Sequence, residues 1–199
     1  MKYLKLISLL FVAMLGSLYV SCEETADVDE YDNWEKRNTE YINTISKEAS
    51  ANTDGKWKRI LSFKLNEKDV NGNYFPHGND CYVYCHKEKE GTGTKHPSVS
   101  VLVNYRGRLI PTENHPEGLV FDESYKGELN LEGENTSQPI ECYLSSFIVG
   151  WQTALPHMVE GDIWRIYIPA KLAYGSKEET NIPAHSTLIF DINLVKVIK

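Results

Sequence analysis

From Val99 to Tyr105 every second residue is large and apolar (Val99, Val101, Val103, Tyr105), and the residues between are Ser100, Leu102 and Asn104. A period of two puts one set on a covered face and the other on the opposite face of a strand. The same signature returns at Cys81–Cys85, at 140–144, at Ile163–Ile168 and at 187–197, where Leu188, Phe190, Ile192 and Leu194 share a face. Pro169 closes the Ile163–Ile168 run, as expected of a residue that cannot donate to a sheet ladder. Only two stretches follow helical spacing. One covers residues 33–51, with Trp34, Arg37, Tyr41, Ile45 and Glu48 in line, Ile42 and Ala49 beside them, and no glycine or proline. The other is the short stripe Trp151, Ala154, Leu155, Met158. These runs predict an α+β fold, an antiparallel-looking sheet with one short helix on it and a helix ahead of it. Trp57 to Leu65 alternates in part and reads as a further strand, and Asn71-Gly72-Asn73 as a turn.

The first residues belong to processing, not to this fold. Lys2 and Lys5 precede an apolar run from Leu6 to Val20, which ends at Ser21-Cys22. A basic start, an apolar stretch and small residues make a secretory signal; the alternative is a retained membrane anchor, for which the run is short. The cysteine at its end resembles a bacterial lipoprotein signal, and that resemblance implies cleavage after residue 21 and lipidation of Cys22. Glu23, Glu24, Asp27, Asp29, Glu30 and Asp32 follow, a run too polar to fold alone. It reads either as a solvated tether or as an address, since it resembles the surface-export signal of a class of bacterial lipoproteins. The expected organisation is a signal at 1–21, an acidic tether at 22–32, a helix-plus-strand extension at 33–73 and the main domain at 74–199.

Charge narrows the partners. The 199-residue chain carries −7, and loss of residues 1–21 removes two lysines and no acid, leaving −9. A nucleic-acid binder needs a basic surface to displace counterions, so none is expected here. Of the four cysteines, Cys22 is assigned to lipid, leaving Cys81, Cys85 and Cys142, an odd number. On one strand Cys81 and Cys85 would lie ~13 Å apart, beyond bonding reach; a bond from Cys142 to either stays open. The six histidines (His77, His86, His96, His115, His157, His185) show no helical metal-site spacing, and no metal is expected. Gly91-Thr-Gly93 lacks the third glycine of a dinucleotide fingerprint, Asn135-Thr-Ser137 is a formal sequon only, and no Gly-x-Ser-x-Gly occurs. An ordinary hydrolase, a metalloenzyme and a cofactor-dependent enzyme are therefore disfavoured.

What remains is an aromatic inventory in the C-terminal half, which composition alone would assign to a core. It is set in an ordered series: Val-Asn-Tyr105-Arg-Gly107, then Phe121-Asp122, then Phe147-Ile148-Val-Gly150-Trp151, then Ala173-Tyr174-Gly175, then Ile182-Pro183 running on to Thr187-Leu-Ile-Phe190. Over about residues 74–198 this series resembles the FK506-binding (FKBP) family of peptidyl-prolyl isomerases. The resemblance implies a half-wrapped antiparallel sheet with one short helix on its concave face and a pocket between them. It implies Trp151 as the pocket floor and the start of the helix, Tyr105, Phe121 and Phe190 as walls, and Asp122 as the polar residue beside a bound carbonyl. Tyr174 would supply a rim hydroxyl. Phe147 would present its backbone to the ligand, with Ile148 following it. Ile182 would close the apolar side, and Ile140 falls where the family usually has a phenylalanine.

Other departures are Asn181 in place of an aliphatic, an acidic and shortened 174–183 loop, an insertion with His115-Pro116, a polar flap at 123–139, and Pro156 in the short helix. The implied activity needs no cofactor. Its partners would be proline-containing polypeptides, a membrane through the lipid, and an FK506-like macrolide. The implied place is the cell envelope, the outer membrane or cell surface. Two other readings stand beside the enzyme: a module that holds proline segments without useful turnover, and a structural envelope lipoprotein.

Overall fold

The computed structural model describes residues 29–65, 68, 72, 77–127 and 139–198. The expected signal, Cys22 and most of the acidic tether lie outside the described residues, as does most of the flap.

The first helix, α1, spans Trp34–Ala51. Both of its caps are asparagines in the left-handed region, Asn33 at φ 53 and Asn52 at φ 41, a conformation asparagine tolerates better than most residues. Its buried stripe is Trp34, Asn38, Ile42, Ile45, Ser46 and Ala49. The expected line through Arg37 and Glu48 is therefore rotated. Glu48 is exposed, and Arg37 lies over the Trp34 ring at 5.2 Å and donates to the Glu30 carbonyl at 2.7 Å.

Strand β1 (Trp57–Leu61) is shorter than expected. After Leu61, Ser62 donates its N–H to the Cys81 carbonyl at 3.0 Å and the chain turns into a 3-10 segment, Phe63–Leu65. The remaining strands are β2 (Tyr82–Lys89), β3 (Ser100–Arg108), β4 (Val120–Glu123), β5 (Ile140–Tyr143), β6 (Ile163–Ile168) and β7 (Leu188–Val197). They form one antiparallel sheet in the order β1-β2-β6-β7-β3-β4, and β5 also pairs with β3. β4 sits opposite Arg106–Arg108 and β5 opposite Ser100–Val103, so both share one edge of β3 in tandem. β4 is an addition to the sequence reading, which had no strand there.

The short helix α2 runs Val149–Ala154 and continues as a 3-10 turn, Leu155–His157. It begins two residues before Trp151, not at it. Pro156 falls in the 3-10 turn after α2 has ended, where no α-helical hydrogen bond is lost. The two helices take opposite faces of the sheet. α2 packs with Val83, Cys85, Val101, Val103, Ile166, Ile168 and Ile192 in the main core. α1 sets Ile42, Ile45 and Ala49 on Tyr84, flanked by Tyr41, Trp57, Tyr82 and Tyr167. Hence Val83, Tyr84 and Cys85 are all fully buried, alternate residues in alternate cores.

The described part of the 33–73 extension is joined to the main sheet. β1 pairs with β2 over five residues, and α1 hydrogen-bonds to Ser186 and Thr187 just before β7. Cys81 lies in a 3-10 turn before β2, so it does not share a strand face with Cys85; Cys81, Cys85 and Cys142 are all free thiols.

Candidate active site

Three strands and α2 bring the aromatic residues together. Tyr105 comes from β3, Phe121 from β4, Phe190 from β7 and Trp151 from α2. Trp151 is 2% exposed and touches three rings at once. Tyr105 meets it edge-on with centroids 5.4 Å apart, Phe190 edge-on at 5.1 Å, and Phe147 at 4.4 Å with the planes 31° apart. Phe121 meets Phe190 edge-on at 5.5 Å. These are the arrangements that the quadrupole of an aromatic ring favours.

Two glycines make that packing possible. Gly107 faces Phe190 on β7 and Asp122 on β4; a Cβ there would lie 2.6 Å from Phe121 Cζ and 2.7 Å from Phe190 Cε1. The rings occupy the volume that any other residue would fill. Gly150 does the same for the helix: its Cβ would lie 2.4 Å from Ile168 Cγ2, so α2 sits directly on β6.

Asp122 is exposed on one side, and its Oδ2 accepts the Tyr105 hydroxyl at 2.6 Å. Burial, then Asp122, pushes the Tyr105 hydroxyl well above its ordinary range, which keeps it a neutral donor. Tyr174, 39% exposed at the rim, is raised by burial, then by Glu179 and Asp122. Register across β3 and β4 is fixed at this point. Ser124 donates its N–H to the Tyr105 carbonyl at 2.9 Å, and its hydroxyl accepts the Tyr105 N–H at 2.9 Å.

A cleft of about 280 Å³ opens between these groups. Its lining contains Tyr105, Phe121, Asp122, Phe147, Ile148, Trp151, Tyr174 and Phe190 together with Ser146, which the sequence did not single out. Two expected residues stand elsewhere. Ile182 is 6% exposed inside the main core. Ile140 pairs with Val103, which puts it on the Tyr105 face of the sheet, but it is 37% exposed at the edge and does not line the cleft. Gln152 was also missed: its Nε2 donates to the Phe147 carbonyl at 2.7 Å, so that carbonyl is already engaged. Asn181, the departure from an aliphatic, sits at φ 61 in a turn where Glu179 and Ile182 exchange backbone hydrogen bonds. Its side chain suits that backbone.

A larger cleft of about 480 Å³ lies between residues 29–40 and 112–114, but its walls are Asp, Glu, Asn, Lys, Arg and Thr. It has no apolar wall to hold a proline ring. Among the described residues no group of three or more His, Cys, Asp or Glu is placed to hold a metal ion, and no helix is long and apolar enough to cross a membrane.

The cleft thus joins aromatic walls to one carboxylate, and comparison with known proteins gives the family. The FKBP-type peptidyl-prolyl cis-trans isomerase family matches residues 91–195, just over half of the chain. The chain belongs to that family. It is 44% identical over 100 residues to the peptidyl-prolyl cis-trans isomerase Mip of Coxiella burnetii, covering 50% of this chain and 37% of that protein. It is 37% identical over 111 residues to the outer membrane protein MIP of Legionella longbeachae, covering 55% of this chain and 41% of that protein. The crystal structure of FkpA from Escherichia coli superposes with a TM-score of 0.52 at 28% identity, over 84% of this chain and 60% of that one. The chain thus spans about two fifths of the length of these two curated relatives.

Proposed function

We propose that this protein is a peptidyl-prolyl cis-trans isomerase acting on proline-containing segments of exported polypeptides. The observation that carries the reading is the Trp151-floored cleft with the Tyr105–Asp122 pair at its wall. Rotation about an X–Pro bond faces a barrier of ~18–20 kcal/mol, because the planar amide loses resonance. No group is transferred, so no nucleophile is required. The proline ring would rest among Trp151, Tyr105 and Phe190, where water is excluded. As the amide twists, its oxygen loses negative charge and its nitrogen becomes pyramidal. Asp122 carries a carboxylate beside that oxygen. It repels the planar, charge-separated amide more than the twisted one, and that difference, not binding as such, speeds rotation. Each ~1.4 kcal/mol of such preference is worth tenfold in rate.

The exposed position of Ile140, where the family usually has a phenylalanine, favours a second reading: the cleft holds proline segments with little turnover. A protease-coupled assay on Xaa-Pro peptides, paired with peptide affinity, separates the two. Wild-type turnover that falls in Asp122→Ala supports the enzyme. Turnover equal in wild type, Asp122→Ala and Phe121→Ala overturns it. Affinity that falls in these variants without wild-type turnover supports the binding module. The same cleft would take an FK506-like macrolide, which should inhibit competitively.

The proposed place is the cell envelope. The name of the Legionella longbeachae relative supports envelope association, and the apolar run ending at Cys22 supports a lipid anchor. Wild-type protein should take up a fatty-acid analogue and partition with membranes, and Cys22→Ala should do neither. Absence of label on the wild type would remove the anchor.

A further inference from the structure

The chain leaves the cleft at Tyr174 and re-enters it at Phe190. Between them lies the loop 175–187. Its two legs are tied just beyond Tyr174, where His185 donates its N–H to the Gly175 carbonyl at 2.8 Å. The return leg is held from outside the family-matched region, by α1. Trp34 Nε1–H donates to Ser186 Oγ at 2.8 Å, and the Ser186 hydroxyl donates onward to the Pro183 carbonyl at 2.6 Å. One turn along α1, Asn38 Oδ1 accepts the Thr187 N–H at 2.7 Å, while its Nδ2 donates to the Trp34 carbonyl at 2.8 Å. All four residues are buried: Trp34 at 6% exposure, Asn38 at 2%, Ser186 at 4% and Thr187 at 2%.

A buried asparagine in an apolar helix stripe is costly unless both halves of its amide are paired. Here both are, and the pairing fixes its direction: the donor end faces a carbonyl and the acceptor end faces an N–H. A helix needing only to cover apolar surface would carry an aliphatic residue at 38. The contact falls three residues before Phe190 and on the leg that faces Gly175, next to Tyr174.

Resting on the isomerase reading, we infer that Trp34 and Asn38 are positioning residues for the active site. They hold the 175–187 loop, and through it Tyr174 and Phe190, against the Trp151 floor. The N-terminal segment outside residues 91–195 is then part of the working site.

The test uses the full chain with Asn38→Ala, Trp34→Phe and Ser186→Ala, assayed well below each variant's melting temperature. Losing one buried hydrogen bond at the loop should raise KM for an Xaa-Pro peptide about threefold to tenfold while kcat changes less than about twofold. Trp34→Phe and Ser186→Ala share the Trp34–Ser186 contact, so the double variant should cost less than the sum of the two single variants. Asn38→Ala should cost less in a Tyr174→Phe background than in the wild type. Amide hydrogen exchange at 175–187 should quicken in each variant and stay unchanged along β3. A lower melting temperature with KM and loop exchange both unchanged overturns the inference and leaves α1 as packing only. Equal cost of Asn38→Ala in both backgrounds overturns the link to Tyr174. A wild type without turnover would sink the isomerase reading instead; loop exchange would then decide the clamp alone, with unchanged rates rejecting it. If Asn38→Ala does not fold, Trp34→Phe, which keeps an aromatic ring at that position, and Ser186→Ala carry the test.

Discussion

The sheet carries an aromatic cluster on each face, and the two are used differently. On the α1 face, Tyr84, Trp57 and Tyr167 of the sheet are packed beneath Ile42, Ile45 and Ala49, with Tyr41 of α1 beside them. Tyr84 is fully buried, and its hydroxyl is satisfied by the Asn79 carbonyl at 2.9 Å. On the α2 face, Trp151 is as deeply buried, but nothing of the described chain covers the space between Tyr105, Phe121 and Phe190, and the polar partner there is an exposed carboxylate. Aromatic content is thus the same signal on both faces. The distinction is whether a helix side chain fills the space above the rings.

The largest effect that sharpens this contrast is on stability. Ile45→Ala empties a site on the closed face, two turns from Asn38, and should cost about 2–5 kcal/mol of unfolding free energy. Denaturant titration would measure it, and kcat/KM of the folded fraction should hold. A large loss of kcat/KM with little loss of stability would mean the closed face reaches the cleft.

On the open face the sign of the comparison reverses. Phe121→Ala should lose about 1–3 kcal/mol of transition-state binding, tenfold or more in kcat/KM, with a smaller change in stability, because Phe121 is only partly buried. Gly107→Ala should be comparable, since the new methyl must displace the Phe121 or Phe190 ring. Full turnover in Gly107→Ala would show that the spacing of the two rings does not matter.

The smallest effect is electrostatic and belongs to the closed side. His86 bridges Asp54 at 2.7 Å and Glu88 at 2.9 Å, fastening β2 to the turn after α1. Burial alone would depress the His86 pKa; the hydrogen bonds to Asp54 and Glu88 outweigh it and hold it above the usual value. Asp54 is held low, first by its hydrogen bond to His86. The stabilisation from His86 is complete below its unfolded pKa, about 6.5, and is lost as pH rises through the higher folded value. That from Asp54 is present above about 3.9 and lost as pH falls through its lower folded value. Melting temperature should therefore slope downward as pH rises above about 6.5 in the wild type, and less steeply in His86→Asn. Identical slopes would remove the bridge from the account.

Much of this was legible because local pattern and tertiary role agree. Ile163–Ile168 alternates and is a strand with those ends, and residues 33–51 lack breakers and form α1. The aromatic walls were legible from their ordered motifs, since each sits on a short element with a fixed register. What sequence could not give depends on distant partners. β4 is four residues with two acids, strand-like only because β3 offers an edge. Asn38 reads as a surface residue until Thr187, 149 positions away, is placed beside it. Ile182 and Ile140 were placed by analogy at the cleft, but one is drawn into the core and the other stays on an edge strand. Gly107 stood in the motif without a reason until Phe121 and Phe190 were seen over it.

The three free thiols have a bearing on redox life. Cys85 is fully enclosed between β1 and β6 neighbours, and burial pushes its thiol far above the ordinary range. Cys142, half-exposed on β5, is also raised, by burial and then by Glu141. The thiolate is the form that attacks oxidants and disulfides, and both positions keep it scarce. The described fold closes without a cystine bridge, so neither a reductant nor a disulfide exchanger should alter its melting. A thiolate-trapping reagent should therefore label Cys85 and Cys142 slowly in the folded protein and readily once it is unfolded.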